Sequence, residues 1–487
     1  FGMIVAVSVG ILLVPFFFVL IYKAKGKFNR KRLSGAGLIL LAAGTGLSSC
    51  QIGKSYTRPD MPLPARLDTL TQDTASIGDL SWWELYNDTT LQQLIHRALT
   101  YNKDLKIASA RMNELAALKR IDFANMFPQA TARLNGNRET TNYGGDNFDA
   151  DPELSLTASI SWELDLWGNL RWARDHSTAE FLASVENCRA VKIGLVAQVA
   201  QSYFELMALD NELAIVRRTL EARREGVRLA EIRFKGGLTS EIVFQQAKVE
   251  LAKTATMVPD LERRISLKES EIALLTGDFP YAVNRNVLPE EIQLPDALPL
   301  GLPSTLLERR PDIRKAEREL MAAHAEVGLA YTNMFPRLAL TATLGAESET
   351  LRDLLKSPYS YLAGNLLSPL FAMGKNRAAL KAKRTAYESA VAEYEKTVLT
   401  AFKETHDAII NFNKIKDIYE SRRQLAEASR TAVELAQLQY INGVIGYLDL
   451  LDAQRNYFDA QVSLSNAVCD KQLMIINLYK ALGGGWK

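Results

Sequence analysis

The sequence predicts a mainly α-helical protein that carries two β-hairpins and is built as an internal twofold repeat. Three observations indicate this fold class. Motifs recur at a nearly constant spacing, one segment alternates apolar and polar residues without a fault, and long segments contain no proline. The length of 487 residues is enough for about three domains.

The internal repeat is read from the spacing of its motifs. Asn125-Met-Phe-Pro128 recurs as Asn333-Met-Phe-Pro336, 208 positions later, whereas Gly237 matches Gly443 at an offset of 206. A single two-residue change within residues 129–167 accounts for both offsets. Chance matches do not keep one offset over about a hundred residues, so we interpret the chain as two copies of one plan.

Each copy is expected to contribute one β-hairpin. In residues 154–166 every second residue is apolar and the residues between are polar, which predicts a strand with one apolar and one polar face. Weaker alternation over residues 130–136 and 338–346, and a blurred version over residues 359–371, indicates the other three strands.

The segments after the hairpins are predicted to be unusually long helices. Residues 169–235 contain no proline, and residues 375–442 contain neither proline nor glycine. About 67 helical residues would extend roughly 100 Å at 1.5 Å per residue. Apolar positions spaced four and three apart from Tyr387 to Tyr419 indicate a coiled-coil seam, with Arg422 as its first break. An ordinary long-helix scaffold would show the same length and periodicity.

Two targeting signals follow one another in the first fifty residues. Residues 1–28 are an apolar stretch with basic residues at its end, long enough to span a bilayer. Residues 29–49 have the basic start, apolar centre and small-residue end of a signal peptide. Leu47-Ser-Ser-Cys50 resembles a bacterial lipobox, so we expect cleavage before Cys50 and its acylation. A plain secretory signal with a chance cysteine is the alternative.

The composition argues against several classes of function. With 58 basic and 56 acidic residues the net charge is +2, which disfavours a nucleic-acid partner. Three cysteines without a CxxC pair exclude a disulfide scaffold and give no sign of zinc. No cofactor, metal or catalytic residue is predicted, because the four histidines lack metal spacing and His406-Asp407 is a lone pair on a helix. Cys188 and Cys469 lie within helical patterns, as packing residues do.

The cluster Arg309-Arg310-Pro311-Asp312 allows two interpretations. Two arginines could form an anion site. A helix start is favoured, with Pro311 and Asp312 in the first turn.

These patterns together predict a plan along the whole chain. Its segments are 1–28 (transmembrane-like, a fusion or misread start), 29–49 (lipoprotein signal peptide), 50–80 (extended tether), 81–127 (helical), 128–167 (first β-hairpin), 168–278 (first long helical hairpin), 279–310 (linker), 311–335 (helical), 336–373 (second β-hairpin) and 374–483 (second long helical hairpin).

Four strands cannot close a barrel, for which about eight are needed. A strand with one apolar face needs a covering layer or lipid. The predicted lipoprotein signal indicates the bacterial envelope, whose outer membrane admits closed β-barrels. We therefore expect an oligomer that pools its strands, with the helices extending away as a tube. The number of subunits does not follow from this reasoning.

Four motifs stand out along this plan, namely Leu302-Pro-Ser-Thr-Leu-Leu-Glu-Arg-Arg-Pro-Asp-Ile313, Asn333-Met-Phe-Pro336, Glu163-Leu-Asp-Leu-Trp-Gly168 and Tyr440-Ile-Asn-Gly443. In the plan and these motifs the chain resembles the outer-membrane factor family of TolC-like efflux channels, in its lipoprotein branch, over about residues 47–485. The resemblance implies a trimeric, twelve-stranded outer-membrane β-barrel, four strands from each subunit, continued by a long α-helical barrel across the periplasm.

The resemblance also implies a function and partners. The chain would be the outer-membrane channel of a tripartite efflux system, a passive exit duct and not an enzyme. Its partners would be two further copies, outer-membrane lipid, a periplasmic adaptor and an inner-membrane transporter of the resistance-nodulation-division (RND) type. Residues 1–28 resemble the C-terminal transmembrane end of such a transporter; an unrelated signal anchor is the alternative. A non-channel coiled-coil scaffold or adaptor lipoprotein is the other functional candidate, although an adaptor would have a single long helical hairpin.

Asp449 and Asp452 are the candidate residues of a periplasmic gate. They follow the turn at residues 442–446 and lie three residues apart, hence on one helical face. The TolC-like pattern has acidic residues here, and threefold symmetry would turn each into a ring of three carboxylates. Two acids near a helix start would also complement the helix dipole, and the two interpretations weigh about equally.

The sequence departs from the TolC-like pattern near this position. Ile445 replaces an arginine of that pattern, and Val243 and Gln246 occupy the equivalent positions of the first tip. The sequence therefore does not indicate which bonds would hold a closed state together.

Overall fold

A computed structural model describes residues 51–62, 88–141, 149–285, 303–369 and 371–484. Within them the helices are α1 (Thr89–Tyr101), α2 (Lys103–Ala124), α3 (Asn169–Lys235), α4 (Glu241–Leu275), α5 (Pro303–Arg309), α6 (Pro311–Thr332), α7 (Lys375–Ile441) and α8 (Tyr447–Ala481). The strands are β1 (Gln129–Thr141), β2 (Asp149–Leu164), β3 (Arg337–Ser348) and β4 (Pro358–Leu367). Cys50, the predicted signal peptide (29–49) and the predicted transmembrane-like segment (1–28) lie outside the described residues.

The chain divides into two compact units, one that contains the strands and one that contains the helices. In the first unit the two predicted hairpins pair side by side in one antiparallel sheet, in the order β1-β2-β3-β4. Ile160 of β2 lies opposite Ala130 of β1 and Ala342 of β3. The blurred alternation continues to Phe371, but β4 ends at Leu367.

The sheet leaves its apolar face exposed. Leu156 and Ile160 are each 40% exposed, whereas Ser155 on the opposite face is 8% exposed. The polar face is held by hydroxyl contacts such as the 2.8 Å hydrogen bond between Ser159 Oγ and Thr343 Oγ1. An apolar surface that runs across neighbouring strands requires a cover, either of lipid or of protein.

In the second unit the long helices of the two copies have equal lengths. The helices α3 and α7 both have 67 residues, as the sequence predicted, and α4 and α8 both have 35. The second pair begins 206 positions after the first, at residues 375 and 447 against 169 and 241. Among the described residues, no helix is both long enough and apolar enough to cross a membrane.

Two residues beyond the end of α3 and of α7 lies a glycine that the turn requires. Gly237 and Gly443 have φ of +72° and +74°, a conformation that a side chain disfavours. The next N–H returns to the helix at each tip, from Leu238 to Arg233 O at 2.8 Å and from Val444 to Gln439 O at 2.9 Å. Both helices thus close with the same Schellman motif, which turns the chain back into the second helix of each hairpin.

The predicted seam of α7 is buried. Its central residues form a continuous buried row, with Tyr387 and Tyr419 half-buried at its ends; the row comprises Tyr394, Val398, Ala401, Thr405, Ala408, Phe412 and Ile415. Arg422, the predicted break, donates a hydrogen bond to Ser463 O of α8 at 3.2 Å. The 4-3 spacing is therefore the pattern by which α7 packs on its neighbours.

If lipid covers the apolar face of the sheet, a charge placed there should block insertion. Replacing Leu156 or Ile160 by arginine should cost roughly 2–4 kcal/mol near the bilayer centre and deplete the protein from the outer membrane. Ser161→Arg is the matched control, because Ser161 neighbours Ile160 on the opposite face. Membrane fractionation and immunoblotting measure the outcome, and equal depletion by the Ile160 and Ser161 variants would contradict the assignment of the faces.

Candidate functional site

Asp449 and Asp452 lie in the first turns of α8, and both side chains are exposed. The backbone N–H of Gly446 donates to Asp449 Oδ2 at 3.0 Å, so this carboxylate caps the helix start. Asp452 Oδ2 accepts a 3.2 Å hydrogen bond from Asn456 Nδ2 on the same helix. The capping interpretation thus has direct geometric support at Asp449, while Asp452 lies beyond the capping position.

The first tip has a different chemistry at the equivalent positions. Val243 and Gln246 are half-buried and uncharged, whereas Asp449 and Asp452 are exposed and acidic. The negative charge therefore belongs to the second helical hairpin alone at these positions.

An ion network next to the acidic pair joins three helices, and sequence reasoning missed it. Glu250 of α4, 4% exposed, accepts hydrogen bonds from Arg223 of α3 and Arg455 of α8. The hydrogen bond from Arg455, reinforced by Arg223, lowers the pKa of Glu250 to about 2 against the effect of its burial. Since Arg455 is three residues beyond Asp452, this network couples the acidic turn to the first helical hairpin.

Aromatic side chains form a second link between the two tips. The guanidinium of Arg233, near the end of α3, lies 4.8 Å from the ring centroid of Tyr440 in α7. That ring in turn lies 5.7 Å from the ring of Tyr447 at the start of α8. A cation over an aromatic face is worth about 0.5–1 kcal/mol at exposed sites, so this contact adds to the ion network without replacing it.

The Arg309–Asp312 cluster is the start of a helix. Arg310 is the N-cap residue of α6, and its Nη2 donates to Asp312 and Glu404 at 2.6 Å each. Its Nη1 donates to the last carbonyl of α8, Ala481 O, at 3.1 Å. The Arg310 guanidinium is therefore paired with two carboxylates inside the fold, which supports the helix-start interpretation over the anion site.

Asn102 has the same role in the first copy. It is the N-cap residue of α2, and its Nδ2 donates at 3.0 Å to Leu275 O, the last carbonyl of α4. Asn102 and Arg310 thus join the start of one helix to the end of another at equivalent places of the repeat. Sequence alignment of the two copies pairs these residues, but their different chemistry hides the shared role.

The other residues that the sequence singled out are structural. His406 is exposed, and Asp407 pairs with Lys403 at 2.7 Å. Burial raises the pKa of the Cys469 thiol to about 12, which keeps it protonated and unreactive. Within the described residues there is no group of three or more His, Cys, Asp or Glu side chains that could hold a metal ion.

Both copies of the repeat match one known family. The family model of outer membrane efflux proteins matches residues 94–278 and 302–484, which cover both copies of the repeat. The chain belongs to the outer membrane efflux protein family.

Individual proteins named as outer-membrane proteins or channels are similar to this chain over most of its length. Outer membrane protein OprJ of Pseudomonas aeruginosa is 32% identical over 94% of this chain and 97% of its own length. The probable outer membrane lipoprotein SilC of Salmonella typhimurium is 29% identical over 94% of this chain and 99% of its own. The solved outer-membrane channel OprN superposes with a TM-score of 0.83 at 30% identity, covering 90% of this chain and all of that one.

Family membership decides between the candidate functions. The protein is the outer-membrane channel of a tripartite efflux system, and it resides in the cell outer membrane. The predicted fold class, a trimeric β-barrel with a long α-helical barrel, is that of these channels and is confirmed. Members of the family are efflux channels rather than enzymes, and the coiled-coil scaffold or adaptor is set aside.

The ion network should make stability depend on acid pH through Glu250. The folded-state pKa of Glu250 lies below the ordinary value of about 4.3, so its stabilisation is complete above that pH and is lost as the pH falls toward 2. Glu250→Gln should cost roughly 3 kcal/mol at neutral pH, the low end for a buried pair because Arg455 is half exposed. Thermal unfolding of both proteins between pH 7 and 3 measures the difference.

Glu221→Gln is the matched control, since Glu221 pairs with Arg224 on the exposed surface of one helix. A stability difference between wild type and the Glu250 variant that stayed constant from pH 7 to 3 would contradict the account.

Proposed function

We propose that three copies of this chain form one passive conduit for small molecules, whose periplasmic gate is built from the tips of the helical hairpins. An inner-membrane RND transporter and a periplasmic adaptor deliver the molecules to it. The observation that carries the proposal is the open sheet, because β1 and β4 are its outermost strands within the described residues. Unpaired edges invite strand pairing between chains, and twelve pooled strands exceed the minimum of about eight for a closed barrel.

The gate is proposed at Asp449 and Asp452. Threefold symmetry would turn each exposed carboxylate into a ring of three, which attracts cations and narrows the opening. The capping bond of Asp449 is compatible with this role, because it engages one carboxylate oxygen and leaves the side chain exposed.

In this proposal the Glu250 network provides the bonds that hold the closed state, which the sequence did not identify. Arg455 lies on the helix that carries both aspartates, and Glu250 holds it to the first helical hairpin. The tip of α8 could move away from that hairpin only by breaking this ion pair. Glu250 and Arg455 therefore favour the closed state in our proposal.

Removing the acidic pair should open and neutralise the gate. Asp449→Ala combined with Asp452→Ala should raise the single-channel conductance in planar bilayers and abolish block by multivalent cations added on the periplasmic side. The control is Val243→Ala with Gln246→Ala, the equivalent positions of the first tip, which should leave both properties unchanged. Unaltered conductance and cation block in the aspartate variant would leave capping as the role of the pair.

The tips also present a candidate surface for the adaptor. Leu238 and Val444 occupy equivalent positions of the two copies and are 73% and 70% exposed. Ile242 and Leu448 form a second equivalent pair that is also exposed. A trimer would then display six similar apolar tips, and exposed apolar side chains rimmed by polar residues are typical of protein docking sites.

An acidic residue at this surface should weaken the adaptor complex. Leu238→Asp with Val444→Asp should reduce cross-linking to the co-expressed adaptor at least tenfold, because the apolar contact is replaced by a charge that must be desolvated. Leu274→Asp is the matched control, since Leu274 is equally exposed on α4 but lies at the opposite end of that helix from the tip. Undiminished cross-linking, with trimers intact, would exclude the tips as the docking surface.

Cys50 is proposed as the acylated N-terminus of the mature protein. The chain just after it is held in place, because the N–H of Ile52 donates to Trp167 O at 3.2 Å. Further along, Arg58 Nε and Nη2 donate to the two carboxylate oxygens of Glu317 at 2.6 Å each. These contacts support a tether that is seated on the protein rather than loose.

Mass spectrometry of the N-terminal peptide should find acyl chains on Cys50 and no residues before it. Cys50→Ala should lose the acyl chains while trimers persist, because the apolar band of the sheet inserts by its own contacts. An unmodified Cys50, or a mature chain that retains residues 1–49, would refute the assignment.

A further inference from the structure

The internal repeat extends to the strand register. The first strands of the two hairpins, β1 and β3, begin 208 positions apart, at Gln129 and Arg337. Within the hairpins Gln129 lies opposite Ser161, and Arg337 lies opposite Leu367, which is 206 positions after Ser161. The second strands are therefore related by 206, and the two-residue change falls between β1 and β2.

One junction in the sheet joins the two copies. It is the pairing of β2, the second strand of copy one, with β3, the first strand of copy two, with Ser159 opposite Thr343 and Ile160 opposite Ala342. In a closed trimer the second strand of copy two, β4, would meet β1 of the next subunit. That contact repeats the same kind of junction, because it again joins a second strand to a first strand.

If the junction between subunits repeats the junction within the chain, the two offsets give the register between subunits. The positions of β4 equivalent to Ser159 and Ile160 of β2 lie 206 residues later, at Asn365 and Leu366. The positions of β1 equivalent to Thr343 and Ala342 of β3 lie 208 residues earlier, at Asn135 and Leu134. We propose that β4 pairs antiparallel with β1 of a second copy of this chain, with Asn365 opposite Asn135 of the partner subunit and Leu366 opposite Leu134 of the partner subunit. This inference rests on the proposed trimer and goes beyond it by specifying the register.

The faces of the sheet agree with this register. Leu366 lies opposite Leu338 on the exposed apolar face, and Leu134 lies opposite Leu156 on the same face. A shift by one residue would turn the apolar face of one subunit toward the polar face of the next, which closure of a two-faced sheet forbids.

The registers that keep the faces of the sheet are shifted from the proposed one by two residues, and residue types distinguish them from it. The proposed register opposes leucine with leucine, asparagine with asparagine, and Gly364 with Gly136 of the partner subunit. A shift of two would place either Ala132 or Gly136 of the partner subunit opposite Leu366 and lose the leucine pair. Cross-strand apolar pairs contribute to sheet stability, so the proposed register is favoured on contacts as well as on symmetry.

Disulfide trapping tests the register directly. In a background with Cys188→Ala and Cys469→Ala, the variant Asn365→Cys is combined with Asn135→Cys, and mild oxidation is followed by non-reducing gels. Directly opposite residues have Cα atoms about 4.5–5.5 Å apart, within disulfide reach. A bond inside one subunit is excluded, because β1 and β4 are three strand spacings, roughly 14 Å, apart.

The matched controls move the partner cysteine by two residues on the same face. Asn365→Cys with Arg133→Cys, or with Asn137→Cys, places the cysteines on a diagonal about 7–8 Å long, beyond disulfide reach. We expect covalent dimers and trimers with the Asn135 variant, formed at least tenfold faster than with either control. Leu366→Cys with Leu134→Cys tests the same register on the other face and with the other type of ladder pair.

The outcomes separate the register from the trimer. Trimers by native mass spectrometry that cross-link faster through Arg133→Cys or Asn137→Cys would overturn the register and leave the trimer in place. Trimers that cross-link through neither Asn135→Cys nor Leu134→Cys would overturn it as well. A detergent-extracted protein that is monomeric before oxidation would overturn the trimer and the register together.

Discussion

Closing the sheet is the constraint on which the rest of this protein depends. Among the described residues, four strands leave two outer edges and an exposed apolar face. Backbone groups at a lipid-exposed edge would cost several kcal/mol each if unpaired, so an open sheet cannot remain in a bilayer. The family to which the chain belongs solves this by pooling strands from three subunits, and the internal repeat makes each inter-subunit junction a copy of one within the chain.

The same repeat organises the helical unit and places its differences where function would need them. The long helices have the same lengths in the two copies, and the closing glycines recur at equivalent positions. The two tips differ in charge, with Asp449 and Asp452 in one and Val243 and Gln246 in the other. Because the two hairpins share one framework, the proposed gate can lie on the second hairpin while the first supports it. The Glu250 network connects these two hairpins.

Local patterns in the sequence were sufficient for the elements but not for their contacts. The alternation over residues 154–166 predicted β2, and the absence of proline predicted α3 and α7, because period and backbone chemistry act within one segment. The seam from Tyr387 to Tyr419 was read correctly for the same reason. Glu250 with its two arginines could not be found in this way, since the three side chains come from three different helices and share no spacing. The candidate gate residues were found from a family resemblance, and the capping role of Asp449 became visible with the geometry.

Single-channel recording of the purified protein in planar bilayers tests the central claim most directly, namely that pooled strands from several copies form one conduit. The account predicts discrete conductance steps of uniform size from protein that inserts without a partner. Protein that binds the bilayer but produces no steps, or steps of unrelated sizes, would contradict it.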